Sequence, residues 1–156
     1  QSVGMPFGVY FFSQATSEDE AREEAQFVLD TLSSCGLSPE SLAYPVVFDQ
    51  EPVEGEGRAN DLSADQLTAN ALAFCRAIEE AGYRPMVYGN QIDMAQRNMD
   101  ELEAYPIWYA EYGVAQPSAD FDFVMWQYSN VGTVRGIDTE VDLNIYMVEE
   151  RKGTYE

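Results

Sequence analysis

The chain has 156 residues, with 8 Lys and Arg against 28 Asp and Glu, so its formal net charge is −20. That length suits one domain, and a composition of 46% hydrophobic and 13% aromatic residues indicates a packed core rather than a disordered acidic segment. So acidic a surface predicts no nucleic-acid partner, the lack of His leaves carboxylates as the acid–base groups, and no apolar run is long enough to span a membrane.

The first elements along the chain are a strand and a helix. Residues 7–12 (FGVYFF) predict a buried strand because they are apolar and rich in aromatic side chains. Ser17 and Glu20 have the spacing of a capping box, in which each side chain accepts from the backbone of the other residue. A helix is therefore expected to begin at Ser17 and to end at Gly36.

The same order of strand and helix follows. Residues 44–51 (YPVVFDQE) predict a second strand that is apolar at its start and acidic at its end. Glycines and charged residues mark 52–62 as a surface loop. Ser63 and Gln66 predict a second capping box, and the helix that they begin is expected to end at Gly82.

The second half of the chain has three strand-like runs, one shorter helix and a final hairpin. We predict strands at 84–89, 106–112 and 121–129, a helix at 91–102, and a hairpin formed by 133–137 and 140–147. No linker divides the sequence. We therefore assign residues 1–148 to one domain and residues 149–156 to a charged C-terminal tail.

Alternating strands and helices predict an α/β fold with a parallel sheet covered by helices. Two architectures fit this pattern, an open doubly wound sheet and a (β/α) barrel. The segment after the first strand, FFSQATS, has no glycine-rich phosphate-binding motif. Nucleotide binding is therefore disfavoured.

The sharpest chemical signal is the pair Asp49 and Glu51 at the end of the second strand. Side chains two residues apart on a strand share a face and lie about 6.6 Å apart along it. Two such acids can simply begin a solvated loop, or they can form an acid–base pair in which one carboxyl keeps its proton near neutral pH. We assign Glu51 as the general acid, and we expect Asp49 to raise its pKa and to orient the reacting group. This chemistry needs no metal and no cofactor.

Aromatic side chains cluster at the expected carboxyl ends of the strands, where the functional site of a (β/α) architecture lies. Aromatic faces stack on sugar rings, and carboxylates bind hydroxyl groups. Together with Asp142 near the last strand, these aromatics predict a carbohydrate-binding cleft. The aromatic candidates are Tyr10, Phe12, Tyr88, Trp108, Tyr112 and Trp126.

Five ordered blocks of the sequence resemble the glycoside hydrolase family 25 lysozymes, which are N-acetylmuramidases of the Chalaropsis type. The blocks are GVYFFSQA (8–15), YPVVFDQE (44–51), RPMVYG (84–89), PIWYAEYG (106–113) and MWQYSNVGTVRGIDTEVDLNIY (125–146). The related chitinase type is disfavoured, because its longer D-x-x-D-x-D-x-E motif is absent before Asp49.

The resemblance implies a TIM-like (β/α)5β3 barrel that cleaves the β-1,4 bond between N-acetylmuramic acid and N-acetylglucosamine in peptidoglycan. It places the general acid at Glu51, the companion aspartate at Asp49, and a further acidic residue at Asp142. It also places the cleft aromatics at the six positions named above. It implies a secreted enzyme that acts at the bacterial cell wall and whose partner is the glycan strand.

In one respect the chain departs from the resemblance. Family members begin with a G-[IV]-D-x-S strand, a helix and a second strand before the GVYFF block, and this part is missing here. The expectation is an N-terminally truncated barrel with an open edge, which the missing segment or an oligomeric partner covers. Without the first aspartate, the chain is either a muramidase or a module that binds cell-wall glycan without cleaving it.

Overall fold

The computed structural model describes residues 4–147, so the predicted tail at 149–156 lies outside the described residues. Six strands form one sheet: β1 (Val9–Phe12), β2 (Val46–Asp49), β3 (Pro85–Asn90), β4 (Ile107–Ala110), β5 (Met125–Gly132) and β6 (Val141–Tyr146). The helices are α1 (Glu18–Ser34), α2 (Ala64–Glu80), α3 (Gln91–Ala95) and α4 (Met99–Leu102), with one 3-10 turn at Pro39–Ser41. Within this described part of the chain, no helix is both long and apolar enough to cross a membrane.

The strands lie in the sheet in their order along the chain. Neighbouring strands from β1 to β5 are parallel, and β6 is antiparallel to β5. The sheet curls, so that Tyr44 before β2 and Tyr146 at the end of β6 bring their rings to 5.6 Å. Among residues 4–147, β1 and β6 do not pair with each other. The predicted α/β class is confirmed, as a curled half-barrel of mixed strand direction.

The two faces of the curled sheet differ in what covers them. On β2, Val46 and Phe48 point to the convex face, where they pack with α1 and α2 in the main apolar core. The rings of Phe48 and Phe74 lie 5.1 Å apart in that core. Val47 belongs to a smaller cluster on the concave face, and strand alternation places Asp49 on that face too. The helices therefore leave the concave face open.

Both predicted helix starts are confirmed, but neither capping box is reciprocal. The Ser17 hydroxyl accepts from the Glu20 backbone N–H at 3.3 Å, and the Ser63 hydroxyl accepts from that of Gln66 at 3.2 Å. The Glu20 carboxylate instead accepts from the N–H and hydroxyl of Thr16, at 2.8 and 3.0 Å. The serine caps are therefore sufficient to begin α1 and α2.

The prediction of one helix over 91–102 is wrong, because the helix breaks between α3 and α4. The Arg97 side chain turns inward and donates to the Asp93 carbonyl at 2.7 Å, the group to which a continuing helix would bond the Arg97 N–H. The next N–H, that of Asn98, donates to the Thr68 hydroxyl of α2 at 2.9 Å. The Arg97 N–H itself donates to the Met94 carbonyl at 3.0 Å. One local side-chain bond and one tertiary bond thus replace the helical ladder.

The predicted hairpin of 133–137 with 140–147 is also wrong in its first strand. β5 begins later than predicted and continues to Gly132, and it is β5 that pairs with β6. Gly132 pairs with Val141, and a Cβ atom at residue 132 would collide with the Leu143 side chain. The absence of a side chain at residue 132 lets the two strands approach.

Candidate active site

One row of side chains crosses the concave face at the carboxyl end of the sheet. The strand register places Phe12 opposite Asp49, Asp49 opposite Tyr88, and Tyr88 opposite Trp108. Residues in register on neighbouring strands share a face, so the predicted acid lies between predicted aromatics. The structure thus brings together side chains from four strands that are up to 96 positions apart in the sequence.

The Asp49 and Glu51 carboxyls face each other closely enough to share a hydrogen bond. Asp49 is 7% exposed, and Glu51 is half-buried. Burial, followed by the charge of Glu51, raises the pKa of Asp49 to about 8. Burial, followed by the charge of Asp93, also raises the pKa of Glu51. The pair therefore retains one proton at neutral pH.

This arrangement differs from the sequence-based expectation in where the proton is held. We expected Asp49 to raise the pKa of Glu51, but the hydrogen bond from Asp49 lowers it. The more deeply buried carboxyl, Asp49, holds the shared proton more tightly because its charged form has less access to water. Glu51 is the member of the pair that remains accessible from the concave face.

Asp93 and Arg97 also belong to the acidic cluster, and we did not predict either of them. Asp93 is 3% exposed and Arg97 is 6% exposed. The Asp93 carboxylate accepts from the Asn90 N–H at 3.1 Å, and the Asn90 side chain caps α3 in return. The sequence does contain a signal for Asp93, because Asn90 and Asp93 have the N-x-x-D spacing of a capping box directly after a strand. We predicted a single long helix from residue 91 and did not use this spacing.

Gln127 joins two of the predicted aromatic residues. It is buried on β5, and its side-chain oxygen accepts from the hydroxyls of Tyr88, at 2.8 Å, and of Tyr112. Tyr88 is itself buried, so its phenol orients Gln127 rather than presenting a free ring to a ligand. Tyr112 is exposed on one side and extends the concave face. Gln127 lies in the predicted WQYS block, but the sequence did not indicate its role.

The remaining concave aromatics are accessible. Tyr10 is 64% exposed and Phe12 is 43% exposed on β1. Trp108 is half-buried, its ring lies 4.8 Å from that of Tyr88, and its indole N–H donates to the Asn144 side chain at 2.8 Å. Phe12 is in register with Asp49, whereas Tyr10 is in register with Val47, further toward the amino end of the strands.

Asp142 and Trp126 lie on different sides of the sheet. Asp142 is exposed on β6, on the same face as Asn144, and its charge raises the pKa of Glu51. Trp126 packs against the convex core, and its indole N–H donates to the Glu111 carbonyl at 2.9 Å. The structure therefore brings Asp142 to the acidic pair and does not bring Trp126 to it.

The amino-terminal end of the concave face contains a separate cavity of about 310 Å³. It lies between β1 and β6, and its mainly apolar lining includes Tyr10, Tyr44, Trp108 and Tyr146. For metals, residues 4–147 contain no group of three or more His, Cys, Asp and Glu side chains placed to hold an ion. At the carboxyl end of the sheet, the carboxyl groups can donate a proton or stabilise a positive charge, and the aromatic rings can stack on the apolar face of another ring.

Comparison with known proteins gives consistent matches over this fold. The family model described as Glycosyl hydrolases family 25 matches residues 1–137. An autolytic lysozyme of Clostridium acetobutylicum is 30% identical over 145 residues, which cover 92% of this chain and 40% of the relative. The chain spans about 40% of the length of the curated relatives that it matches.

Several solved structures resemble the chain. The modular Cpl-1 endolysin, solved with a peptidoglycan analogue, is 28% identical with a TM-score of 0.63, and the match covers 92% of this chain and 40% of the endolysin. A bacterial lysozyme from Streptomyces coelicolor is 22% identical with a TM-score of 0.73, and the match covers 93% of this chain and 69% of that one. The second likeness concerns the fold alone.

Proposed function

The chain belongs to glycosyl hydrolases family 25, and on that premise we propose that it hydrolyses the β-1,4 bond between N-acetylmuramic acid and N-acetylglucosamine in peptidoglycan. The observation that carries this proposal is the buried, proton-sharing pair of Asp49 and Glu51 beside exposed aromatic rings. The site of action is the bacterial cell wall, outside the cytoplasm, and the partner is the glycan strand.

Glu51 acts as the general acid. Glycoside hydrolysis requires a carboxylic acid that protonates the leaving oxygen, and the one proton that the pair retains near neutral pH can serve this purpose. Glu51 is the less buried member of the pair, so it can reach a bound sugar from the concave face. Asp49 holds the single proton of the pair in the resting site and passes it to Glu51, which gives it to the glycosidic oxygen. The water molecule that completes the hydrolysis then returns a proton to the pair.

Asp142 supports the second half of the reaction. Cleavage develops positive charge on the sugar ring, and a nearby carboxylate stabilises that charge. Asp142 is exposed on the concave face and close enough to Glu51 for its charge to raise the pKa of Glu51. It therefore has the placement to stabilise an oxocarbenium-like centre or to orient the attacking water.

The exposed aromatic rings bind the sugar. Tyr10, Phe12, Trp108 and Tyr112 offer apolar faces or edges on the concave side, on which the C–H faces of a pyranose ring can stack. Stacking and hydrogen bonds are needed for affinity here, because the net charge of −20 gives no long-range attraction to an anionic cell wall.

The proposed bond specificity is tested by the products. After incubation with purified peptidoglycan, borohydride reduction of the new chain ends is expected to yield muramitol, because cleavage exposes the reducing end of N-acetylmuramic acid. Glucosaminitol would indicate cleavage of the other glycosidic bond and would contradict the proposal. Co-sedimentation with peptidoglycan without new reducing ends would favour the glycan-binding alternative.

We further propose that another strand-forming segment, in the same protein or in a second copy, covers the open edge of the half-barrel and completes a (β/α)5β3 barrel. β1 hydrogen-bonds to β2 on one side, and Tyr10 and Phe12 are exposed beside its other edge. An unpaired apolar edge strand tends to pair with another chain. The isolated 156-residue chain is therefore expected to self-associate. A monomeric mass by light scattering, together with a cooperative melt, would contradict this.

A further inference from the structure

We propose that Arg97 is a positioning residue for Asp49 and Glu51, holding the backbone between the two acids and supplying a buried positive charge to their cluster. Arg97 lies just after α3, and its guanidinium is almost fully buried. This inference rests on the proposed function of the acid pair. It extends that proposal to a residue that does not itself contact substrate.

The first part of the role is mechanical. One guanidinium nitrogen donates to the Gln50 carbonyl at 2.7 Å, and the other terminal nitrogen donates to the Asp93 carbonyl at 2.7 Å. Gln50 lies between the two acids, just beyond the end of β2, where the sheet no longer holds the backbone. The planar fork of arginine therefore joins the acidic segment to α3 in a fixed orientation.

The other side of the same segment is also held. The Gln50 side chain donates to the Ala15 carbonyl at 2.8 Å, and the Asn70 side chain of α2 donates to that same carbonyl at 2.8 Å. The Gln50 side chain thus joins the segment to the loop after β1, and the Gln50 carbonyl joins it, through Arg97, to the end of α3. Loss of Arg97 removes the second of these connections and leaves the Gln50 carbonyl without its partner.

The second part of the role is electrostatic. Arg97 forms no ion pair within 4.0 Å in the described part of the chain, so its charge acts on several carboxyls at once. That charge lowers the pKa of Asp49, Glu51 and Asp93, whereas burial raises all three. The other titratable groups that face the cluster come from β6, β3 and the segment after β4, and they are Asp142, Tyr88 and Tyr112.

Asp93 has the opposite effect on the pair. Its buried carboxylate raises the pKa of both Asp49 and Glu51. A cation and an anion four residues apart, at the end of one short helix, therefore shift the proton affinity of the acids in opposite directions. If Arg97 only stabilised the break between α3 and α4, its charge would not need to affect the pKa values of Asp49 and Glu51.

The experiment is a carbon-13 NMR titration of the side-chain carboxyls in the full chain, which does not depend on activity. In Arg97→Gln, the pKa values of Asp49 and Glu51 are expected to rise. In Asp93→Asn, which keeps an acceptor for the Asn90 N–H, they are expected to fall. Arg97→Lys keeps the charge and should leave both pKa values close to those of the parent chain.

Arg84→Gln is the matched control, because Arg84 is exposed and donates to the carbonyls of Leu42 and Ala43 far from the acids. It removes the same charge and should move neither pKa. Unchanged pKa values in folded Arg97→Gln would overturn the electrostatic role. If that variant does not fold, a rise of both pKa values in Arg97→Lys, which keeps the charge, would overturn it.

The mechanical role is tested by turnover. Arg97→Lys cannot reproduce the two-carbonyl fork, so kcat on peptidoglycan is expected to fall by on the order of 10²-fold with the pH profile retained. An unchanged kcat would overturn this part. If the parent chain cleaves no peptidoglycan, the proposed function fails, whereas the carboxyl titrations still decide the charge effect of Arg97.

Discussion

Glu51→Gln is expected to slow the clearing of a peptidoglycan suspension by roughly 10²- to 10⁴-fold, the range for loss of a general acid. Glutamine keeps the size of the side chain and its hydrogen bonding to Asp49, but it has no proton of suitable acidity to give to the leaving oxygen. The loss should therefore appear in kcat rather than in binding, as measured by turbidity and by co-sedimentation with peptidoglycan.

Glu54→Gln is the matched control, because Glu54 is an exposed residue of the loop that follows the site. It makes the same chemical change and should leave clearing at the parent rate. Clearing that survives Glu51→Gln would refute the assignment of Glu51 as the acid. The same assays are applied to a version extended upstream of residue 1. If only the extended version clears the peptidoglycan suspension, an additional segment is required for activity.

Asp49→Asn is expected to stabilise the fold at pH 8 while it lowers activity. The pKa of Asp49 is about 8 in the folded chain, against an ordinary value of 3.8. Between those values the folded state binds the proton and the unfolded state releases it, so the free energy of unfolding decreases as the pH rises. The slope is at most about 1.4 kcal/mol per pH unit.

Asparagine does not titrate, so its advantage over Asp49 should be absent near pH 4 and should grow until about pH 8. Melting temperatures measured across this range should diverge by several degrees, because ~1 kcal/mol moves the melting point of a domain of this size by ~2–4 °C. Asp61→Asn, which makes the same chemical change at an exposed position, is the matched control. A pH-independent difference for Asp49→Asn would show that burial does not perturb this carboxyl.

Local signals were reliable where a single segment determines the outcome. Ser17 and Ser63 begin α1 and α2, since a serine hydroxyl can bond the free N–H groups of the first turn without help from the rest of the fold. The apolar run within 44–51 correctly predicted a buried strand that ends at Asp49, whereas Glu51 lies beyond the end of that strand. The five sequence blocks led to the family that the comparisons confirm.

Local signals failed where a tertiary contact competed with the local pattern. The helical pattern at 91–102 was interrupted because Arg97 and Asn98 bond to groups outside their own helix. Trp126 belongs to a block that resembles the family, yet the pairing of β4 with β5 turns its ring to the convex face. Sequence spacing does not report the face of a strand until its register is known.

The sequence by itself determined the α/β class, the family and the presence of an acid pair at Asp49 and Glu51, because each depends on residue types at short, fixed spacings. Only the tertiary structure decided which carboxyl holds the shared proton more tightly, and that Asp93 and Arg97 tune it. Proton affinity depends on burial and on charges brought together by the fold, and both are properties of distances that a linear sequence does not contain.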